Sequence, residues 1–156
     1  MTSERFRPNA ALIFQRSDGH ILVCERTQPP GAWQFPQGGV DPGETPEQAA
    51  LREGEEEVGF TPGEYDITVA KGPYRYYYPD EVRERVLQKR GQAYVGQEQT
   101  YFLCRMQSDN NDPHIDNREF CAFRWIFPEE FDFAWLPAFK RGVYEQVFSD
   151  FFSIRA

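Results

Sequence analysis

The sequence predicts an α/β fold, with strands and helices layered around one core. Three observations predict it. Short apolar runs rich in β-formers recur from Ala10 to Phe127. A Glu-rich segment between Thr45 and Gly59 carries helix signals at both ends. A second helical period closes the chain. Several strands with one central and one terminal helix pack as layers. The 156 residues suit one domain, 1–156, with a proper core.

The elements follow in order. Ala10–Phe14 reads as a strand, Ser17-Asp-Gly-His20 as a turn, and Ile21–Glu25 as the returning strand. Gln28–Gly31 is a loop, and Trp33–Pro36 is extended. A helix is predicted over Pro46–Val58. Thr45 can cap it, Gln48 can reach back as in a capping box, and Pro46 suits the first helical position. Gly59 fits the residue just past its end. Asp66–Ala70 and Tyr74–Tyr78 read as two strands divided by Gly72-Pro73. Glu98–Met106 and Phe123–Phe127 are further strands, with a polar loop, Ser108–Asp116, between them. Pro137–Phe151 is a helix with Phe139, Val143, Val147 and Phe151 on one side.

Composition excludes several classes. A formal net charge of -8 argues against gripping duplex nucleic acid through a broad basic surface. A few local cations could still hold one phosphorylated end. Only Lys71, Lys89 and Lys140 are lysines, and the other cations are arginines, whose planar forks suit phosphate. Cys24, Cys104 and Cys121 are odd in number and far apart, which suits reduced thiols. Met1–Pro8 lacks an apolar signal core, and no run spans a membrane, so a soluble cytoplasmic protein is expected. The many aromatics leave room for a homodimer interface. His20 and His114 fall in a turn and a polar loop and receive no role.

The central helix carries the chemistry. Glu53, Glu56 and Glu57 are spaced i, i+3 and i+4 and share one face. Carboxylates so crowded need neutralising cations or raised pKa values. An all-oxygen cluster suits Mg²⁺ or Mn²⁺ rather than zinc. Gly38–Phe60 reads GGVDPGETPEQAALREGEEEVGF. It resembles the box of the Nudix hydrolase superfamily, G-x5-E-x7-R-E-U-x-E-E-x-G-U with U apolar. Gly38, Glu44, Arg52, Glu53, Glu56, Glu57, Gly59 and Phe60 match. Seven of these positions demand one residue type, so chance agreement falls below about one in a million. Gly54 departs, because a bulky apolar residue is usual there. Either a packed domain tolerates it or the backbone passes close to a neighbour.

The resemblance implies an α/β/α sandwich with a mixed central sheet, and a hydrolase that cuts a diphosphate linkage with Mg²⁺ or Mn²⁺. It extends beyond the box. Arg7-Pro-Asn9, Trp33–Gly39, Gly96–Gln99, Glu119-Phe120 with Arg124-Trp125, and Phe139–Arg141 look like the bacterial RNA pyrophosphohydrolase group. That group removes pyrophosphate from 5′-triphosphate RNA, which opens the RNA to decay. Its close relatives cut diadenosine polyphosphates, and free nucleoside triphosphates are a further alternative.

The resemblance also implies residue roles. The Gly38 carbonyl, Glu53, Glu56, Glu57 and the distal Glu119 would hold metal. Glu53 is favoured as the base that activates water, with Glu56 a close rival. Arg52 would hold a box glutamate, and Glu44 would pair with or orient other groups. Arg7, Arg26 and Lys140 are candidates for the phosphates. Tyr76 and Phe139 could stack on the first base, although packing of the last helix explains Phe139 about as well. Gln97 and Gln99 share a strand face and could bond substrate. Within Pro79–Gly91, Arg83, Arg85, Lys89 and Arg90 follow three tyrosines and would suit an RNA strand leaving the site. A solvated amphipathic segment explains them equally well.

Overall fold

The computed structural model describes residues 4–154; residues 1–3 and 155–156, part of the polar N-terminal stretch among them, lie outside the described residues. The chain runs β1 (Phe6–Gln15), β2 (Ile21–Arg26), β3 (Trp33–Gln34), β4 (Gln37–Gly39) and α1 (Pro46–Val58). It continues through β5 (Tyr65–Tyr77), α2 (Asp80–Arg90), β6 (Gly96–Met106), β7 (Phe120–Ile126) and α3 (Ala138–Phe152). The strands form one sheet in the order β3-β2-β1-β6-β5, with β4 on β1 and β7 on β2. The β1–β6 pair is parallel and the other pairs are antiparallel, so the sheet is mixed.

Strand alternation divides the core into two faces. Ala10, Leu12 and Phe14 of β1, with Leu22, Cys24, Phe102 and Cys104, meet Ala49, Ala50 and Val58 of α1. Ala11 and Ile13, with Ile21, Val23, Phe35 and Tyr101, meet Val143, Tyr144, Val147 and Phe148 of α3. The layers are therefore α1, sheet, α3. The second face is aromatic, and Phe35 stacks on Tyr144 with ring centroids 5.4 Å apart.

Three segments differ from their sequence reading. The first strand begins at Phe6 rather than Ala10, because Phe6–Gln15 pairs in register with Gly96–Arg105. The two expected strands around Gly72-Pro73 are one strand, β5, whose register on β6 shifts between Lys71 and Tyr74. The irregularity that suggested a break is absorbed by the neighbouring strand. The basic segment Pro79–Gly91 is helical over Asp80–Arg90 and ends on a left-handed Gly91.

The central helix forms as its termini dictate. Thr45 and Gln48 make the reciprocal capping box, and the Gly59 N–H donates to the Glu55 and Gly54 carbonyls. The bare Gly54 is explained by close approach. A Cβ there would sit 3.3 Å from Leu12 and 3.5 Å from the Tyr65 hydroxyl. Cys24 and Cys104 are buried and Cys121 is exposed, all unpaired. Among the described residues no helix is long and apolar enough to cross a membrane.

Candidate active site

Three strand pairings gather the site at one end of the sheet. Register sets Arg7 beside Gln97, Asn9 beside Gln99 and Gly39, Ala10 beside Gly38, and Tyr76 beside Gln97. The N-terminal stretch, the box entry and the strand after α2 thereby become neighbours. Helix α1 then lays its glutamates across β4. A Cβ on Gly38 would collide with the Glu53 carboxylate, and one on Gly39 with the Arg7 guanidinium. The two glycines let both charged groups lie against the backbone.

Arg52 organises the box. Its Nε and Nη2 each donate to Glu44 at 2.9 Å, and Nη2 also donates to the Gly39 carbonyl at 2.9 Å. Nη1 donates to Glu53 at 2.8 Å and to Glu56 at 3.3 Å. The forked pair with Arg52, helped by the Asp41 N–H, holds the Glu44 carboxyl down at about 2. Glu44 thus pairs with Arg52 through both carboxylate oxygens. Arg52 does hold Glu56, and holds Glu53 more closely.

The cleft beside this lattice has a volume of about 510 Å³. Gly38, Glu53, Glu57 and Glu119 line it together, although Glu119 arrives from the loop before β7. Glu57 accepts a 3.2 Å hydrogen bond from the Gln37 N–H. Burial, then Glu53, then Glu119 push its carboxyl far above the usual carboxylate range. Burial also raises Glu53, against the pull of Arg52. Crowded carboxylates of this kind hold either a proton or a cation. All the donors are oxygen, which fits a hard divalent ion. Among the described residues no three carboxylate, imidazole or thiolate groups converge closely enough to enclose an ion by themselves. The fit therefore lies in charge and donor type.

Cations flank the carboxylates. Arg7, Arg26, Arg85, Lys89, Arg90 and Lys140 all line the cleft. Among the described residues none has a carboxylate within ion-pairing distance. The buried Arg26 Nε has no partner. Burial and then Arg26 bring the Lys140 ammonium down to about 8. Burial and then Arg90 lower Arg7.

Ten of the thirteen residues expected at the site line one cleft: Gly38, Glu53, Glu57, Glu119, Arg7, Arg26, Tyr76, Gln97, Phe139 and Lys140. The other three are Arg52, Glu56 and Gln99. Arg52 stands behind the carboxylates. Glu56 points outward, with a 59% exposed side chain resting on Arg52, so of the three glutamates expected on one helical face it stands at the rim. Gln99 is 1% exposed and lies behind the cleft rather than in it. Its amide donates to Asn9 and Gln37, and its carbonyl accepts from Tyr101.

The two rings expected to sandwich or stack on the first base touch each other. Tyr76 and Phe139 pack against each other with centroids 5.7 Å apart. A base between two rings needs about 7 Å, two van der Waals contacts. No base fits between them in this arrangement, and the Tyr76 hydroxyl is spent on Gln97. Residues missed by sequence reasoning include Asn9, Gln37, Val82 and Val86, which also line the cleft. The spacing of Val82, Arg85, Val86 and Lys89 was the available signal. His20 pairs with Asp18 and stacks on Phe127, and His114 packs over Gly59.

Comparison with known proteins agrees with this geometry. The NUDIX domain family matches residues 5–147. The chain is 42% identical to an RNA pyrophosphohydrolase of Cereibacter sphaeroides, covering 94% of this chain and 90% of that one. It is 38% identical to an RNA pyrophosphohydrolase of Erythrobacter litoralis, covering 96% and 93%. It is 34% identical to Nudix hydrolase 25 of Arabidopsis thaliana, covering 94% and 86%. Among solved structures, a C. elegans Ap4A hydrolase binary complex aligns with TM-score 0.60 at 25% identity, covering 80% and 82%. The E. coli dihydroneopterin triphosphate pyrophosphohydrolase shares the fold, with TM-score 0.74 at 18% identity over 95% and 97%. With the capped glutamate helix, the three-layer sheet and a family match over most of its length, this chain belongs to the NUDIX domain family.

Proposed function

We propose that this protein is a divalent-metal-dependent RNA 5′-pyrophosphohydrolase, which removes pyrophosphate from 5′-triphosphate RNA and leaves a 5′-monophosphate. One observation carries the reading. A single cleft joins buried carboxylates to Arg7, Arg26 and Lys140, which among the described residues have no carboxylate within ion-pairing distance, in a chain of net charge -8. Such a cleft suits a polyphosphate with a metal beside it. The name of the bacterial relatives at 38–42% identity supports RNA as what carries that polyphosphate.

Glu53, Glu57, the Gly38 carbonyl and Glu119 would hold Mg²⁺ or Mn²⁺, with Glu56 joining from the rim when its side chain leaves Arg52. The ion supplies charge neutralisation on the phosphates and acidifies a bound water. Glu53 takes the proton from the attacking water. The water oxygen bonds to phosphorus, the phosphoanhydride P–O bond breaks, and its electrons leave on the departing phosphate oxygen. Arg52 fixes the angle of Glu53. Arg7, Arg26 and Lys140 bind the phosphate oxygens and offset their charge. Gln97 is oriented by Tyr76 toward the bound nucleotide, and Phe139 offers one ring face.

The test is pyrophosphate release from short triphosphate-ended RNA, beside diadenosine tetraphosphate and a nucleoside triphosphate, each with Mg²⁺ and with Mn²⁺. Preferential release from RNA is expected. Cleavage of the small nucleotides with RNA left intact would overturn the RNA reading and select a small-nucleotide hydrolase. The likeness to the C. elegans Ap4A hydrolase is the observation that favours that second reading.

A further inference from the structure

Helix α2 presents two unlike faces. Val82, Arg85, Val86 and Lys89 stand at i, i+3, i+4 and i+7, and all four line the cleft. That spacing is one helical face. Asp80, Glu81 and Glu84 lie off it and are absent from the cleft lining. The valines are half-buried against the aromatic core, which fixes the helix's rotation. Lys89 and Arg90 also suit a helix C-terminus, where cations complement the dipole. That explanation does not cover Arg85, a turn earlier, nor the inward turn of the face.

The cleft does not end at α2. A second groove of about 640 Å³ shares Arg7, Gly39, Asp41 and Arg90 with it, and continues past Gln92 and Tyr94. Arg7 and Arg90 form the ridge between the two. These two cations stand near enough to disfavour one another, and no carboxylate within ion-pairing distance separates them among the described residues. An anion lying across the ridge would relieve both. The triphosphate end takes up Arg7 from the cleft side, which leaves Arg90 for the next phosphate along the strand.

We infer that the inner face of α2, continued by Arg90 at the ridge, is a second subsite that binds phosphodiesters of the RNA downstream of its 5′ end and leads the strand into the neighbouring groove. This rests on the RNA reading of the same cleft. A backbone track of cations with an adjoining aromatic, Tyr94, is how sequence-tolerant single-strand binders work. The subsite gives RNA an advantage over a free nucleotide, which carries no downstream phosphodiester.

The test compares the parent with Arg85→Ala/Lys89→Ala, and with Gln88→Ala on the outer face. Substrates are a nucleoside triphosphate and a triphosphate-ended RNA about ten nucleotides long. The double variant is expected to lose roughly tenfold in kcat/KM on the RNA, and to stay within about twofold of the parent on the nucleotide. Its salt dependence on RNA should flatten by about 0.7 in log–log slope per lost contact. Gln88→Ala should match the parent. Equal losses on both substrates, or none on RNA, would overturn the subsite. Binding of 5′-monophosphate RNA of the same length, read by fluorescence anisotropy, separates the two proposals. A parent that leaves RNA uncut yet binds it more tightly than the double variant loses the RNA activity and keeps the subsite. A parent that cuts RNA while both proteins bind it equally keeps the activity and loses the subsite.

Discussion

Glu57 stands among carboxylates that only a cation or a proton can reconcile. Glu57→Gln removes one charge and one donor, and kcat should fall at least about 100-fold, since even supporting contacts of metal sites carry that much. Thermal unfolding should separate this from misfolding, because relief of crowding leaves the melting temperature unchanged or raised. Gly38 makes a sharper case. The Glu53 carboxylate occupies the space that a Cβ would fill. Gly38→Ala should displace it by about an ångström, and such displacement costs about 100-fold in rate. Circular dichroism should be unaltered. Lys140 supplies the pH dependence. Its ammonium is charged below about 8 and neutral above, so phosphate contact weakens as pH rises through that value. KM for the triphosphate should climb above about pH 8, and Lys140→Arg should remove the climb, because a guanidinium stays charged.

At the scale of the element, α1 was the most legible part of the chain. Thr45, Gln48, Pro46 and Gly59 are local signals, and each acts as local chemistry requires. Gly54 is different, because its reason lies on another strand. Leu12, Phe14 and Tyr65 already fill the space where a bulky residue would go. Gly54→Leu, although it restores the residue usual in the box, should cost roughly 1–3 kcal/mol by overpacking. Adding Tyr65→Ala should recover part of that, which urea denaturation of the double-mutant cycle would measure. Helix α2 was only half legible. Its charges were visible, but an isolated sequence cannot say which face the valines bury. The direction of Gln99 was hidden for the same reason. Alternation set it on the face of Gln97, and only the depth of β6 in the sheet decides that one reaches the cleft and the other does not.

For the whole molecule, the layered α/β plan was readable because its two helices and most strands announce themselves locally. The pairing of β1 with β6 was not. Parallel partners are joined by a long crossover, and nothing in residues 6–10 names residues 96–100 as their neighbours. That pairing places Arg7 in the cleft. The acidic centre also implies a global response to metal. A divalent ion that binds only the folded chain stabilises it by about 2.7 kcal/mol at a hundredfold excess over Kd. The parent's melting temperature should therefore rise on adding Mn²⁺, and Glu57→Gln should blunt the rise.

The same parallel pairing bears on when the chain becomes active during its synthesis. Arg7 leaves the ribosome early, whereas Gln97, Glu119 and Lys140 follow in turn, and the cleft needs all four. The box helix can form soon after its own residues emerge, with its carboxylates already crowded. No emerging chain that stops short of α3 can assemble the cleft. The activity proposed for this cleft would therefore arise late, when the last helix docks on the aromatic face and brings Lys140 to residues made long before it.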